Sequence, residues 1–135
     1  MPKSATDALP EVLKAVAFDS DGFVPVIAQQ KGSGEVLMTA WMNREAIEKT
    51  LQTGQVHYWS RSRNRLWRKG ERSGQTQALV DFRIDCDGDA VLVIVEQKGV
   101  ACHTGRRHCF FRAVRGGELE TVEDVLVDPE ELYKA

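Results

Sequence analysis

The run Ala90-Val91-Leu92-Val93-Ile94-Val95 constrains the fold more than any other stretch of this chain. It is apolar on both faces of an extended backbone, so it predicts a central strand buried on both sides. A second β-rich run, Ala78 to Asp85, precedes it, and the two meet at Asp87-Gly88, a strong hairpin signal. A domain built round this pair must be sheet-centred. At 135 residues the chain is expected to form a single domain with a real core.

The rest of the chain supplies smaller pieces. Pro10 to Val16 predicts a short helix and Asp19-Ser20-Asp21-Gly22 a turn. Val24 to Gln29 and Val36 to Trp41 read as strands joined by Lys31-Gly32-Ser33-Gly34. Asn43 can cap a helix that runs to about Thr53, where Gly54 suits a left-handed terminator. Val56 to Ser60 and Cys109 to Val114 read as strands, and a short helix can start at Pro129. The expected class is α+β: a curled, mainly antiparallel sheet of hairpins with one main helix.

Charged residues make up 28% of the chain and the formal net charge is −2, which excludes a global polybasic field for nucleic acid or membrane. The charge is uneven. Arg61, Arg63, Arg65, Arg68, Lys69 and Arg72 crowd one strip against Glu71 alone, and the tail after Gly117 is acidic. Trp59 and Trp67 interleave with the basic strip. Aromatic plus arginine suits stacking a base and gripping phosphate, in single-stranded RNA or in one nucleotide. Because the basic field stops at the strip, the small ligand is favoured.

The three cysteines lie among carboxylates and histidines: Asp85-Cys86-Asp87-Gly88-Asp89, then Cys102-His103-Thr104-Gly105-Arg106-Arg107-His108-Cys109. Two ligand sets are present at once. Thiolates favour zinc, and three of them would leave its fourth position open. Carboxylates favour magnesium or calcium. An EF-hand is excluded because Ala90 stands at its required glycine and a β run follows the loop. The bland alternatives are buried thiols and a solvated acidic turn. His103 is the leading candidate base; His57 and His108 are weaker ones. No segment approaches a membrane span and the N-terminus does not read as a secretory signal, so a cytoplasmic protein with reduced thiols is expected.

Longer motifs then carry a resemblance. Trp59-Ser60-Arg61-Ser62-Arg63, Trp67 to Gly74, Asp85 to Ala90, and Cys102-His103-Thr104-Gly105 to Cys109-Phe110-Phe111-Arg112 resemble the phosphoribosyl-AMP cyclohydrolases of histidine biosynthesis. Asp21-Gly22-Phe23-Val24-Pro25 and Val36 to Asn43 are similar to the same family. The motifs cover about residues 18–113, with the acidic tail from about 116 to 135 outside them. Arg72 stands where the family pattern has threonine and His108 where it has serine, departures expected to touch the pocket rim more than the metal ligands.

The resemblance implies a hydrolase that adds water to C6 of an adenine ring carrying ribosyl-phosphate on N1 and opens the N1–C6 bond. It implies zinc on Cys86, Cys102 and Cys109, magnesium on Asp85, Asp87 and Asp89, and His103 as base. It implies substrate contacts from Trp59, Ser60, Arg61, Ser62, Arg63, Trp67, Lys69, Ser73, Gly74, Thr104, Arg106 and Arg107. It further implies an intertwined homodimer with the zinc site shared between chains, acting on a small nucleotide rather than on nucleic acid or membrane. Two rivals are weighed. A nucleobase deaminase would need an H-x-E…P-C-x-x-C pattern that is absent. An RNA- or nucleotide-binding module would use the zinc structurally.

Overall fold

The computed structural model describes residues 4–133. A 3₁₀ turn leads into α1 (Leu9–Ala15). β1 (Val24–Gln30) and β2 (Val36–Met42) form an antiparallel hairpin, followed by α2 (Arg44–Thr53). β3 (His57–Ser60) and β4 (Arg65–Arg68) make a second hairpin, β5 (Gln77–Ile84) and β6 (Val91–Gln97) a third, and β7 (Arg112–Arg115) and β8 (Glu118–Thr121) a fourth. α3 (Pro129–Leu132) closes the described chain. Among the described residues no helix is long and apolar enough to cross a membrane.

The main sheet has the order β2-β1-β6-β5, so β6 is central as its apolar run requires. Val91, Val93 and Val95 point into the core at 1% exposure or less, and Leu92 and Ile94 are half-buried on the other face. The α+β class and the mainly antiparallel pairing match expectation. One pairing does not follow from the local hairpins: β1 runs parallel to β6, with Val26 opposite Val91 and Gln30 opposite Val95. Two local hairpins are thus docked side by side, which sequence-local turn signals cannot encode.

α2 forms where its caps place it. Asn43 Oδ1 accepts from Ala46 N at 2.9 Å, and Gly54 ends the helix at φ 71°. The helix buries Ala46, Ile47, Thr50 and Leu51 against β2, β3 and β4. Thr50 Oγ1 accepts from His57 N at 2.9 Å, which ties the helix to the start of β3. The core joins these residues to Val24, Val26, Leu37, Met42, Val56 and Tyr58. Each such buried aliphatic contributes about 1.5–3 kcal/mol.

Several boundaries differ from the sequence reading. The β5–β6 connection is wider than the two residues Asp87-Gly88: Asp85 N donates to Ala90 O at 3.0 Å, so Cys86 and the aspartates sit on an exposed loop. The strand expected over 109–114 begins only at Arg112, because Cys109 N instead donates to Leu37 O at 2.8 Å and belongs to the preceding loop. β4 and β8 are unannounced; β4 forms inside the basic strip by pairing with β3, Trp67 opposite Tyr58.

Candidate active site

The β3–β4 hairpin builds one wall of an open cleft of about 700 Å³. Pairing sets Tyr58 against Trp67, their rings 5.1 Å apart, and Trp59 against Leu66. The hairpin turn passes through Asn64 at φ 52°, a conformation asparagine tolerates better than most residues. Trp59, Ser60, Arg61, Ser62, Arg63, Trp67, Lys69 and Ser73, all expected substrate contacts, line the cleft, and so does His103. Trp41, Arg65, Arg68, Arg72 and Tyr133 line it too. Trp41 sits within a strand motif already singled out, and Arg61 stacks over it with its guanidinium carbon 4.0 Å from the ring centroid. Nothing in the acidic composition of the tail points to Tyr133.

The electrostatics of the cleft are strongly one-sided. Arg65 is paired with Glu71 at 2.8 Å, which leaves Arg61, Arg63, Arg68, Arg72 and Lys69 as lining cations beyond that pair. Trp59 Nε1 is buried with no hydrogen-bond partner among the described residues. A buried donor is normally satisfied, so this one is free for a ligand acceptor. Of the three histidines, His103 alone borders the cleft. His57, the first residue of β3, is buried, with its Nδ1 2.8 Å from Gln55 O. His108 Nε2 lies 3.3 Å from Glu123 Oε1.

The loop from Lys98 to Phe111 carries His103 together with two thiols. Cys102 is 4% exposed, and its Sγ lies 3.0 Å from Thr104 Oγ1. Cys109 is exposed as a residue, yet protein packs round its sulfur. Burial first, then the charge and hydrogen bonding of Cys102, push its thiol up to about 12. Lys69 opposes that shift, and its own ammonium is lowered mainly by burial and held up by Cys109 and Cys102. Lys69 Nζ donates to Ala101 O at 2.5 Å, joining the arginine hairpin to the thiol loop. Two adjacent thiols resist losing both protons unless a cation sits between them, so the pair suits a soft metal.

The remaining expected ligands lie elsewhere. Cys86 precedes β6 and Cys102 follows it, with roughly 20 Å of strand between the two ends. Among the described residues no three His, Cys, Asp or Glu side chains converge to hold a metal ion. The aspartate loop does crowd its carboxylates: Asp89 is raised above the usual carboxylate range by hydrogen bonding to Asp85, then by the charges of Asp85 and Asp87.

Gly74, Thr104, Arg106 and Arg107 stand outside the cleft lining. Arg106 Nε donates to Glu123 O at 2.9 Å and its guanidinium stacks over Phe111. Arg107 donates to Glu35 Oε1, Gly99 O and Gln30 Oε1 at 3.0, 2.6 and 2.7 Å. A buried glutamine network, which strand patterning does not reveal, supports the same loop. Tyr58 donates to Gln77, Gln77 to Gln97, and Gln75 accepts from Val100 N. Burial chiefly, then Cys109, raises the Tyr58 phenol.

Residues 38–111 match the family model described as phosphoribosyl-AMP cyclohydrolase. The phosphoribosyl-AMP cyclohydrolase of Rhodospirillum centenum is 63% identical over 129 residues, 95% of this chain and 97% of that protein. This chain belongs to the phosphoribosyl-AMP cyclohydrolase family. The namesake from Rhodospirillum rubrum is 66% identical over 122 residues, 90% of this chain and 85% of its own length. That from Granulibacter bethesdensis is 60% identical, across 91% of this chain and 97% of that protein.

Proposed function

We propose that this protein hydrolyses the N1–C6 bond of 1-(5-phosphoribosyl)-AMP to the 5-phosphoribosyl-formimino imidazole carboxamide ribotide, the third step of histidine biosynthesis, in the cytoplasm. The observation that carries the reading is the joining of two thiols and His103 to a cleft rich in arginine and tryptophan. The substrate has a planar purine for the tryptophans and two phosphates for the free arginines.

Cys102 and Cys109 would hold zinc, with Cys86 contributed by a second copy of the chain, and Asp85, Asp87 and Asp89 would hold magnesium. Bound zinc would supply Lewis-acid activation of water near neutral pH. The exposed arginines, Arg61 and Arg63 on the hairpin turn, bind and orient the phosphates. Trp59 and Trp67 present ring faces to the base, and Trp59 Nε1 offers a donor to a substrate acceptor. His103, next to Cys102 and open to the cleft, takes the proton of the attacking water as its oxygen bonds to C6. The N1–C6 bond then breaks as N1 takes the proton held by His103 and the hydroxyl on C6 gives up its own to become the carboxamide carbonyl.

Separation of Cys86 from the thiol pair supports a shared site in a homodimer. So does the incompletely covered sheet face on which Ile27 is 37% exposed beside half-buried Leu92 and Ile94.

The test is ring opening of 1-(5-phosphoribosyl)-AMP, followed by absorbance, by the zinc-loaded protein with and without chelator. Turnover lost on chelation and restored by zinc is expected. Binding of RNA, with no turnover under any metal condition, would favour a nucleotide-binding module with a structural zinc.

A further inference from the structure

The acidic tail lies beyond the stretch that the family model matches, and it returns to the cleft. Residues 122–128 run along the thiol loop as a strap. Leu126 N and Val127 N both donate to Gly105 O, at 2.9 and 3.1 Å, and Val122 N donates to Phe111 O at 2.7 Å. Arg106 and His108 hold Glu123 from the loop side. Gly105 permits the contact. Its φ is +86°, and a Cβ there would lie 1.8 Å from Val127 O, so strap and loop meet backbone to backbone.

The strap ends at Asp128, whose Oδ1 accepts from Glu130 N at 2.9 Å and starts α3. Leu132 anchors this turn at 6% exposure. The next residue, Tyr133, lines the cleft together with Trp41, Trp59, Trp67 and His103 while remaining 46% exposed.

We propose that Tyr133 is a substrate-binding residue whose ring forms an aromatic wall for the planar base of the nucleotide. The inference rests on the cleft being the substrate site proposed above. The cations on the hairpin already answer the phosphates, and a heterocycle presents two faces to be covered. A half-exposed ring at the cleft edge, on an anchored turn, gains buried area only when a ligand is present. Stacking of one ring on one base changes affinity on the order of tenfold.

The experiment compares zinc-loaded wild type, Tyr133→Ala and Tyr133→Phe. It reads kcat and KM for 1-(5-phosphoribosyl)-AMP, the Kd of AMP by tryptophan fluorescence, zinc content and Tm. Tyr133→Ala should raise KM and the AMP Kd about tenfold, with kcat within about twofold and with unchanged zinc and Tm. Tyr133→Phe should stay near wild type, because the ring is kept. Wild-type KM and Kd in Tyr133→Ala would overturn the proposal. So would a Tyr133→Phe as weak as the alanine variant, which would make the hydroxyl the contact, or a fall in Tm that tracks the kinetic loss. A wild type that binds AMP through Tyr133 but opens no ring would instead defeat the proposed reaction and leave this contact standing.

Discussion

The Arg107 side chain ties the thiol loop to the β1–β2 hairpin, and replacing it separates a structural role from a substrate contact. Its guanidinium reaches three segments: Glu35 on the β1–β2 turn, Gln30 at the end of β1, and Gly99 within the loop. Gln30 Oε1 also accepts from Gln97 N at 3.1 Å, so the group links the ends of β1 and β6. The Glu35 pair is partly exposed, at 27% and 32% of the two side chains, and contributes about 1 kcal/mol at most. The two bonds to neutral oxygens are charge-assisted: about 1.5 kcal/mol for the part-buried one to Gln30, and about 0.5–1 kcal/mol for the exposed one to Gly99. Arg107→Gln should therefore cost about 2–4 kcal/mol, which lowers Tm by roughly 10 °C in a domain of this size. Thermal unfolding followed by circular dichroism, at saturating zinc, measures it. Zinc should also be lost faster to chelator, while KM at saturating zinc stays within about threefold. Arg107→Lys should recover little, since an ammonium cannot span the fork of acceptors. A variant with unchanged Tm and a KM raised tenfold would refute the reasoning and make Arg107 a substrate ligand.

Three further outcomes are expected. Mixing a Cys86→Ala chain with a Cys102→Ala chain should restore up to about a quarter of wild-type activity after complete subunit exchange, because under the proposed sharing each mixed dimer keeps one intact site; no recovery after verified exchange would argue against sharing. Gly105→Ala, forced against Val127 O at positive φ, should cost about 2 kcal/mol or more and open residues 117–128 to limited proteolysis, with an unchanged digestion pattern counting against the strap. His103→Ala should lower kcat about 10²–10⁴-fold while zinc content and AMP binding persist; near-normal kcat would assign the base elsewhere.

What the residues announced, and what they did not, divides along physical lines. α2 was legible because its stop and start are local: Asn43 and Gly54 act within one turn of the helix. The central position of β6 was legible because its own side chains are apolar on both faces. Its parallel neighbour was not, since a strand pattern does not name a partner. β4 was hidden because Arg65-Leu66-Trp67-Arg68 reads as a charged stretch, and pairing with β3 makes it a strand.

The site shows the same division. The arginine and tryptophan strip is local, and the hairpin delivers it to one cleft. Cys86, Cys102 and Cys109 are close in sequence, but β6 carries the first away from the other two. Adjacent Arg106 and Arg107 read alike, yet one faces the tail and the other the sheet. Tyr133 carries no signal at all, because only the path of the strap brings it back.

The parallel pairing of β1 with β6 also sets the order in which the chain can fold. Hairpins β1–β2 and β5–β6 close over short loops and can form early. The seam between them bridges far more chain: Gln30 meets Glu96 across 66 residues. Contacts of such separation slow folding, because the closure entropy must be met before they form. Newly made chains would then pass through a stage with both hairpins formed and the edge of β6 bare. Since Arg107 is anchored on Gln30 and Gly99, the Cys102–Cys109 loop takes its shape only after the seam has closed. On the proposal that Cys102 and Cys109 hold zinc, metal meeting the chain earlier finds separate thiols, so its capture should lag behind hairpin formation and report on completion of the sheet.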